Sequence, residues 1–176
     1  MIFHTKDLAN LWGIQNSNTL YTTLKRYVRQ GLLFRIYKGF YAIKPIGEVD
    51  RLLLGIKALH GYAYVSTETI LIENGIIQQT LSAVTLVGMA TKHFSVGDSR
   101  YLSRKLADKF LYQSDGIVTE VNGVRKASVE RAVADILYFH RHIYLDGAAL
   151  VDWEKVKSLQ EHVGYPLTPE RYTQRI

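Results

Sequence analysis

Ser17-Asn-Thr-Leu-Tyr-Thr-Thr-Leu-Lys-Arg-Tyr-Val-Arg-Gln-Gly-Leu-Leu-Phe-Arg-Ile-Tyr-Lys-Gly-Phe-Tyr-Ala-Ile43 is the stretch on which the reading of the fold turns. Its first half has helical periodicity. Leu20, Leu24, Tyr27 and Val28 fall within an arc of about 100°, the width of a core-facing stripe. The opposite arc holds Asn18, Thr22, Lys25, Arg26 and Arg29, with no acid among them. Gly31 ends the helix. Leu32 to Ile36 and Phe40 to Ile43 then read as two strands joined by the tight turn Tyr37-Lys38-Gly39.

Upstream, Thr5 to Trp12 reads as a short helix. Thr5 is its expected N-cap, Asp7 lies in the first turn where the helix dipole favours it, and Gly13 ends it. Leu8, Leu11 and Trp12 share one face. Helix, turn Ile14-Gln15-Asn16, basic helix and basic hairpin together predict a winged helix-turn-helix. In such a unit the second helix enters the major groove of DNA and its N-terminal half reaches base edges. Asn18 and Thr22 have the chemistry for that, because Asn pairs bidentately with adenine and Thr bonds bases or touches a thymine methyl. Lys25, Arg26 and Arg29 suit phosphates or a guanine. On the hairpin, Arg35 and Lys38 are expected to hold the backbone. Phe40 and Tyr41 read as cross-strand packing, and Tyr37 fits either role.

Charge supports this reading. The chain of 176 residues carries a net +6. Seven bases against the single acid Asp7 place all of that excess before residue 46, and the remaining 15 bases are balanced by 15 acids. A cationic module joined to a neutral one is the pattern of a polyanion-binding protein. Hydrophobic residues at 47% and charged residues at 22% are globular values. Cysteine is absent, which excludes disulfides, thiolate metal sites and a thiol nucleophile. No apolar run is long enough to span a bilayer, so no membrane contact is expected and the cytoplasm is the expected location.

Beyond the Lys44-Pro45-Ile46-Gly47 punctuation, Asp50 to His60 forms a Leu-rich connecting helix. Ser66 is the expected cap of a helix from Thr67 to Glu73. Ala83–Val87, Phe94–Val96 and Arg100–Leu102 read as strands. Ile117–Val121 and Val124–Ala127 flank Asn122-Gly123, a strong hairpin signal. Ser128 caps a long apolar helix to about His142, another helix starts near Asp152, and Thr168-Pro169 opens a frayed tail. The expected fold is α+β, with a winged helix-turn-helix over residues 1–46, a connecting helix over 47–61 and an α+β domain with a mostly antiparallel sheet over 62–176.

Catalytic and metal patterns are missing. There is no phosphate loop, dinucleotide glycine fingerprint or metalloprotease motif. His140 and His142 are two apart on a helix and point to different faces. Glu130, Arg131 and Asp135 form the tightest charged cluster of the second domain, and Arg131 and Asp135, at i and i+4, read as a structural pair. No catalytic residue, metal or cofactor is expected.

Three stretches resemble AbiEi-type antitoxins. Leu24 to Ile43 resembles their winged helix, in which a helix ending in Gly-x-Leu leads to Arg-x-x-x-Gly-x-Tyr. Tyr64-Val-Ser-Thr-Glu-Thr-Ile-Leu-Ile-Glu-Asn-Gly75 resembles the helix opening their second domain. Ala127-Ser-Val-Glu-Arg-Ala-Val-Ala-Asp-Ile-Leu137 resembles their later Glu-Arg-Ala…Asp helix. The resemblance implies the antitoxin of a type IV toxin–antitoxin system. Such a protein represses its own promoter at inverted repeats and counteracts a nucleotidyltransferase toxin. The implied DNA contacts are the same seven residues, Asn18, Thr22, Lys25, Arg26, Arg29, Arg35 and Lys38. Only Met1-Ile-Phe precedes the first helix, so the leading helix of many winged helices is missing, and Asp50–His60 is the candidate to complete that core. Two further classes fit the composition. One is a regulator without a toxin partner, its second domain serving dimerisation or ligand sensing. The other is a nucleic-acid-processing enzyme targeted by the winged helix.

Overall fold

The computed structural model describes residues 2–167. The chain is α+β. In order, the elements are β1 (Ile2–His4), α1 (Thr5–Trp12), α2 (Ser17–Arg29), β2 (Phe34–Tyr37), β3 (Phe40–Ala42), α3 (Arg51–Ala58), β4 (Ala63–Val65), α4 (Glu68–Glu73), β5 (Ala83–Gly88), β6 (Lys92–Val96), β7 (Ser99–Lys105), α5 (Asp108–Leu111), β8 (Ile117–Thr119), β9 (Arg125–Ala127), α6 (Val129–Phe139) and α7 (Trp153–Val163). The Thr168-Pro169 tail lies outside the described residues.

The N-terminal part is a helix–turn–helix followed by a hairpin. His4, not Thr5, caps α1: its Nδ1 accepts the Lys6 N–H at 3.1 Å, and Asp7 accepts the His4 N–H at 2.9 Å. This reciprocal capping leaves Thr5 free for another task. Its N–H and hydroxyl both donate to the Gly39 carbonyl, at 2.8 and 3.0 Å. Asn16 caps α2 by accepting the Thr19 N–H at 3.1 Å. β1, unforeseen in the sequence, pairs antiparallel with β3 and completes a three-stranded sheet of order β1-β3-β2.

That sheet has two differently occupied faces, because cross-strand partners point the same way. Phe3 and Tyr41 are partners and pack with Leu8, Leu20, Leu24 and Leu33 in a small core beneath α1 and α2. Ile2, Ile36 and Tyr37 instead face the larger core of the second unit. Leu11, expected inside with Leu8 and Trp12, is 70% exposed. The small core is closed by Trp12 set edge-on to Tyr27 at 5.2 Å.

The second sheet has six strands in the order β6-β7-β5-β4-β9-β8. Three of its pairings are antiparallel, while β4–β9 and β5–β7 are parallel, so the sheet is mixed. The β8–β9 hairpin forms where Asn122-Gly123 called for one. Ser128 caps α6 by accepting the Arg131 N–H at 3.2 Å, and Asp152 caps α7 by accepting the Lys155 N–H at 3.1 Å. α6 stops at Phe139, short of His142. Ser66 does not cap α4; its hydroxyl donates to Asp135 at 2.7 Å, and Thr67 takes the cap position at φ 55°. The Ser66 side chain is instead turned toward a carboxylate 69 residues away in sequence.

α3 covers one face of this sheet and α4 and α6 the other, with α7 behind α6. Leu52, Leu54, Ile56 and Ala58 of α3 belong to the larger core. The connecting helix is therefore built into the second unit and does not complete the small core. Gly55 makes its close approach possible, because a Cβ there would lie 2.4 Å from the ring of Tyr101. Tyr101 is fully buried, and its hydroxyl donates to the Arg51 carbonyl at 2.8 Å, so the ring cannot swing aside. Gly55→Ala should gain about 1 kcal/mol of helix propensity and lose about 1–3 kcal/mol to overpacking. A net loss of stability is expected in urea denaturation, and a more stable variant would contradict this packing.

Candidate nucleic-acid interface

α2 is held by two buried anchors, Leu20 and Leu24, a helical turn apart on its inner side. Everything on the opposite arc is thereby turned outward. Asn18, Thr22, Lys25, Arg26 and Arg29 are all exposed. No carboxylate among the described residues lies within ion-pair distance of these cations. Arg26 and Arg29 occupy the last turn, where the helix dipole favours positive charge. That accounts for part of the charge at this end but not for Lys25 or the hairpin cations. The Arg26 guanidinium lies 5.3 Å from the Tyr27 ring centroid, which restricts how far it can wander.

Register places Arg35 on the side of the sheet that carries the helices. It is the cross-strand partner of Tyr41 and shares its face of the sheet, the face that carries α1 and α2. Lys38 is exposed at the turn. The turn itself is braced. Thr5 clamps Gly39, which has φ 73°, and a bulge between Arg35 and Tyr37 turns the Tyr37 ring toward His60 and Phe94, at 6.5 and 6.4 Å. Tyr37 therefore serves packing. Phe40 and Tyr41 are buried, as their cross-strand reading required. The hairpin is a short, fixed ribbon from which Arg35 and Lys38 project.

Tyr21 was not singled out in the sequence, yet it is 60% exposed. At 100° per residue it sits about 40° from Lys25, so the helical period carried the signal. An exposed ring beside unpaired cations adds an amphipathic contact group to the same face.

In the second unit, Arg131 and Asp135 form a fully buried pair at 3.0 Å. Asp135 also accepts hydrogen bonds from Tyr64 (3.0 Å), Ser66 (2.7 Å) and Tyr165 (2.7 Å). Arg131 further donates to the carbonyls of Gln113 and Asp115 and to the Tyr64 hydroxyl. Burial, reinforced by the Asp135 charge, pushes both tyrosines well above the usual tyrosine range and keeps them as neutral donors. Glu130 pairs outside this network with Lys155 at 3.4 Å. Among the described residues no buried side-chain nitrogen or oxygen lacks a hydrogen-bond partner. Nearby, Arg104 grips Glu68 with both guanidinium nitrogens; burial alone would raise the Glu68 carboxyl, but those bonds bring it below its ordinary value. No group of three or more His, Cys, Asp or Glu residues among the described ones is placed to hold a metal. None of the helices described is long and apolar enough to cross a membrane.

The chain matches no known protein-family model and no curated protein.

Proposed function

We propose that this chain is a sequence-specific DNA-binding repressor of the cytoplasm that occupies an operator and performs no catalytic step. The observation that carries the reading is the outer arc of α2, with three exposed cations and no carboxylate within ion-pair distance among the described residues, together with an exposed Arg35 on the side of the sheet that carries α2. Asn18 and Thr22, in the N-terminal half of α2, read base edges in the major groove of duplex DNA. Lys25, Arg26 and Arg29 neutralise phosphates, and Arg35 and Lys38 hold the backbone from the ribbon. The antitoxin role, opposing a nucleotidyltransferase toxin and autoregulating a promoter through inverted repeats, is proposed on the three resembling stretches alone.

The test of DNA binding is a footprint on the DNA upstream of the chain's own gene, repeated with Asn18→Ala and Arg29→Ala. Asn18→Ala should cost about 1–3 kcal/mol on the preferred site and relax its base preference. Arg29→Ala should weaken all sequences alike and lower the salt slope by about 1. Equal, sequence-blind losses from both would refute this division of roles. The antitoxin role is tested separately, by co-expression with a nucleotidyltransferase encoded beside the gene. A footprint without rescue leaves a regulator that has no toxin partner.

A further inference from the structure

At the junction of the two units, β1, α1, β3, α3, the turn after α3 and β9 line an open cleft of about 460 Å³. That volume falls within the roughly 300–1,000 Å³ of small-molecule sites. Its charge is one-sided. Lys6, Lys57 and Arg125 line it together with the imidazoles of His4 and His60, against the single acid Asp7. Asp7 is already engaged, its Oδ2 accepting the His4 N–H. None of the three cations has a carboxylate within ion-pair distance among the described residues. The other cleft of note, about 220 Å³, sets Arg51 and Arg100 against Glu73 and Asp98 and is balanced.

The cationic cleft is built in advance. Arg125 donates to the Ala63 carbonyl at 3.3 Å, and its guanidinium lies 4.4 Å from the Tyr62 ring centroid. One edge is thereby fixed while the rest of its fork stays available for a bidentate anion. His60 adopts φ 58°, a left-handed backbone uncommon outside glycine. That bend carries its ring to within 4.6 Å of Phe40, tilted by 42°, and 5.8 Å of His4, edge-on at 89°, so that three rings cluster at one side of the cleft. Partial desolvation, with His4 and Lys92 nearby, holds the His60 imidazole below its ordinary pKa.

From the one-sided charge, the fixed Arg125 fork and the volume of this cleft, we propose that it binds a phosphate-bearing small molecule, with Lys6, Lys57 and Arg125 as the anion-holding residues. The inference is independent of DNA reading by α2, because the ligand is met by a concave junction and not by the outer helix face.

The probes are inorganic pyrophosphate and ADP, titrated calorimetrically into the full chain without DNA. One saturable site is expected, weakened roughly tenfold or more by Lys57→Ala and by Arg125→Gln, as loss of a charge-assisted bond requires. Lys57 is exposed, so its removal leaves the fold alone, and Arg125→Lys keeps the charge while losing the fork. Asp7→Asn should tighten binding while retaining a capping oxygen for α1. Lys157→Ala, on an exposed position of α7, should change nothing. In the NMR spectrum, pyrophosphate should raise the titration midpoint of His60. Absence of saturable binding at millimolar pyrophosphate and ADP, or equal weakening by Lys157→Ala, overturns the proposal. So does a result in which Lys57 and Arg125 matter only for duplex DNA.

Discussion

Asp135→Ala is expected to destabilise the protein by about 3–5 kcal/mol, the usual result of breaking a buried ion pair from one side. Asp135 accepts from Tyr64, Ser66, Arg131 and Tyr165 and is fully buried, so one truncation orphans four donors. The worst of these is Arg131, also fully buried. Burial opposes its charge, and the Asp135 carboxylate is the main reason it stays protonated. Domains of ordinary size have about 5–15 kcal/mol in total, so this one change removes a large share. Urea denaturation measures it; a variant within 1 kcal/mol of the parent would show, on the same scale, that water or a neighbouring group replaces the carboxylate. The double variant Arg131→Met/Asp135→Leu should recover much of the loss, because it removes the stranded charge along with its partner. Recovery would establish that the pair is not itself a net source of stability. The two tyrosines predict the alkaline side. Their folded pKa values are raised, so their contribution is complete below the unfolded tyrosine value of about 10 and is lost as pH climbs above it. Tyr165→Phe should shrink that alkaline loss.

What could be read from sequence follows the range of the interaction that decides each element. α2, α6 and α7 were legible because the polar residues at their starts and their apolar stripes lie within a turn or two of the helix, whereas the end of α6 at Phe139 was not. The β8–β9 hairpin was legible because Asn122-Gly123 sets the turn from within. β1 and β4 were not, since each is three residues long and acquires its strand character from partners about 20 to 60 residues away. The two parallel pairings escaped for the same reason, as parallel neighbours carry no local turn signal. Arg131 and Asp135 were recognisable as a pair by spacing, but spacing says nothing about burial, and their depth comes from Tyr64 and Tyr165, far along the chain. At the candidate site the helical period was enough to turn Asn18, Thr22, Lys25, Arg26 and Arg29 outward. It was not enough to show that the hairpin is braced, because the clamp is made by Thr5, His60 and Phe94, none of them adjacent to it in sequence.

The double reversal Lys25→Glu/Arg29→Glu is expected to abolish operator binding at physiological salt while leaving the fold in place. Neither side chain is buried or paired with a carboxylate among the described residues, so neither has a partner to strand. The small core rests on Leu20 and Leu24 on the other side of α2. Glutamate in the last turn opposes the helix dipole, and a circular dichroism melt of the variant controls for that mild cost. Each phosphate contact contributes about −0.9 to the slope of log affinity against log salt. Removing two should flatten the slope by about 1.8, and the two new negative charges add repulsion that grows as salt is lowered. The signature is thus a loss that is larger at low salt than at high salt. Loss of a fold-dependent surface would be salt-independent and would appear in the melt. If the reversed chain protects the same DNA with an unchanged slope, the cations of α2 do not meet phosphate, and the assignment of this helix to the DNA groove fails.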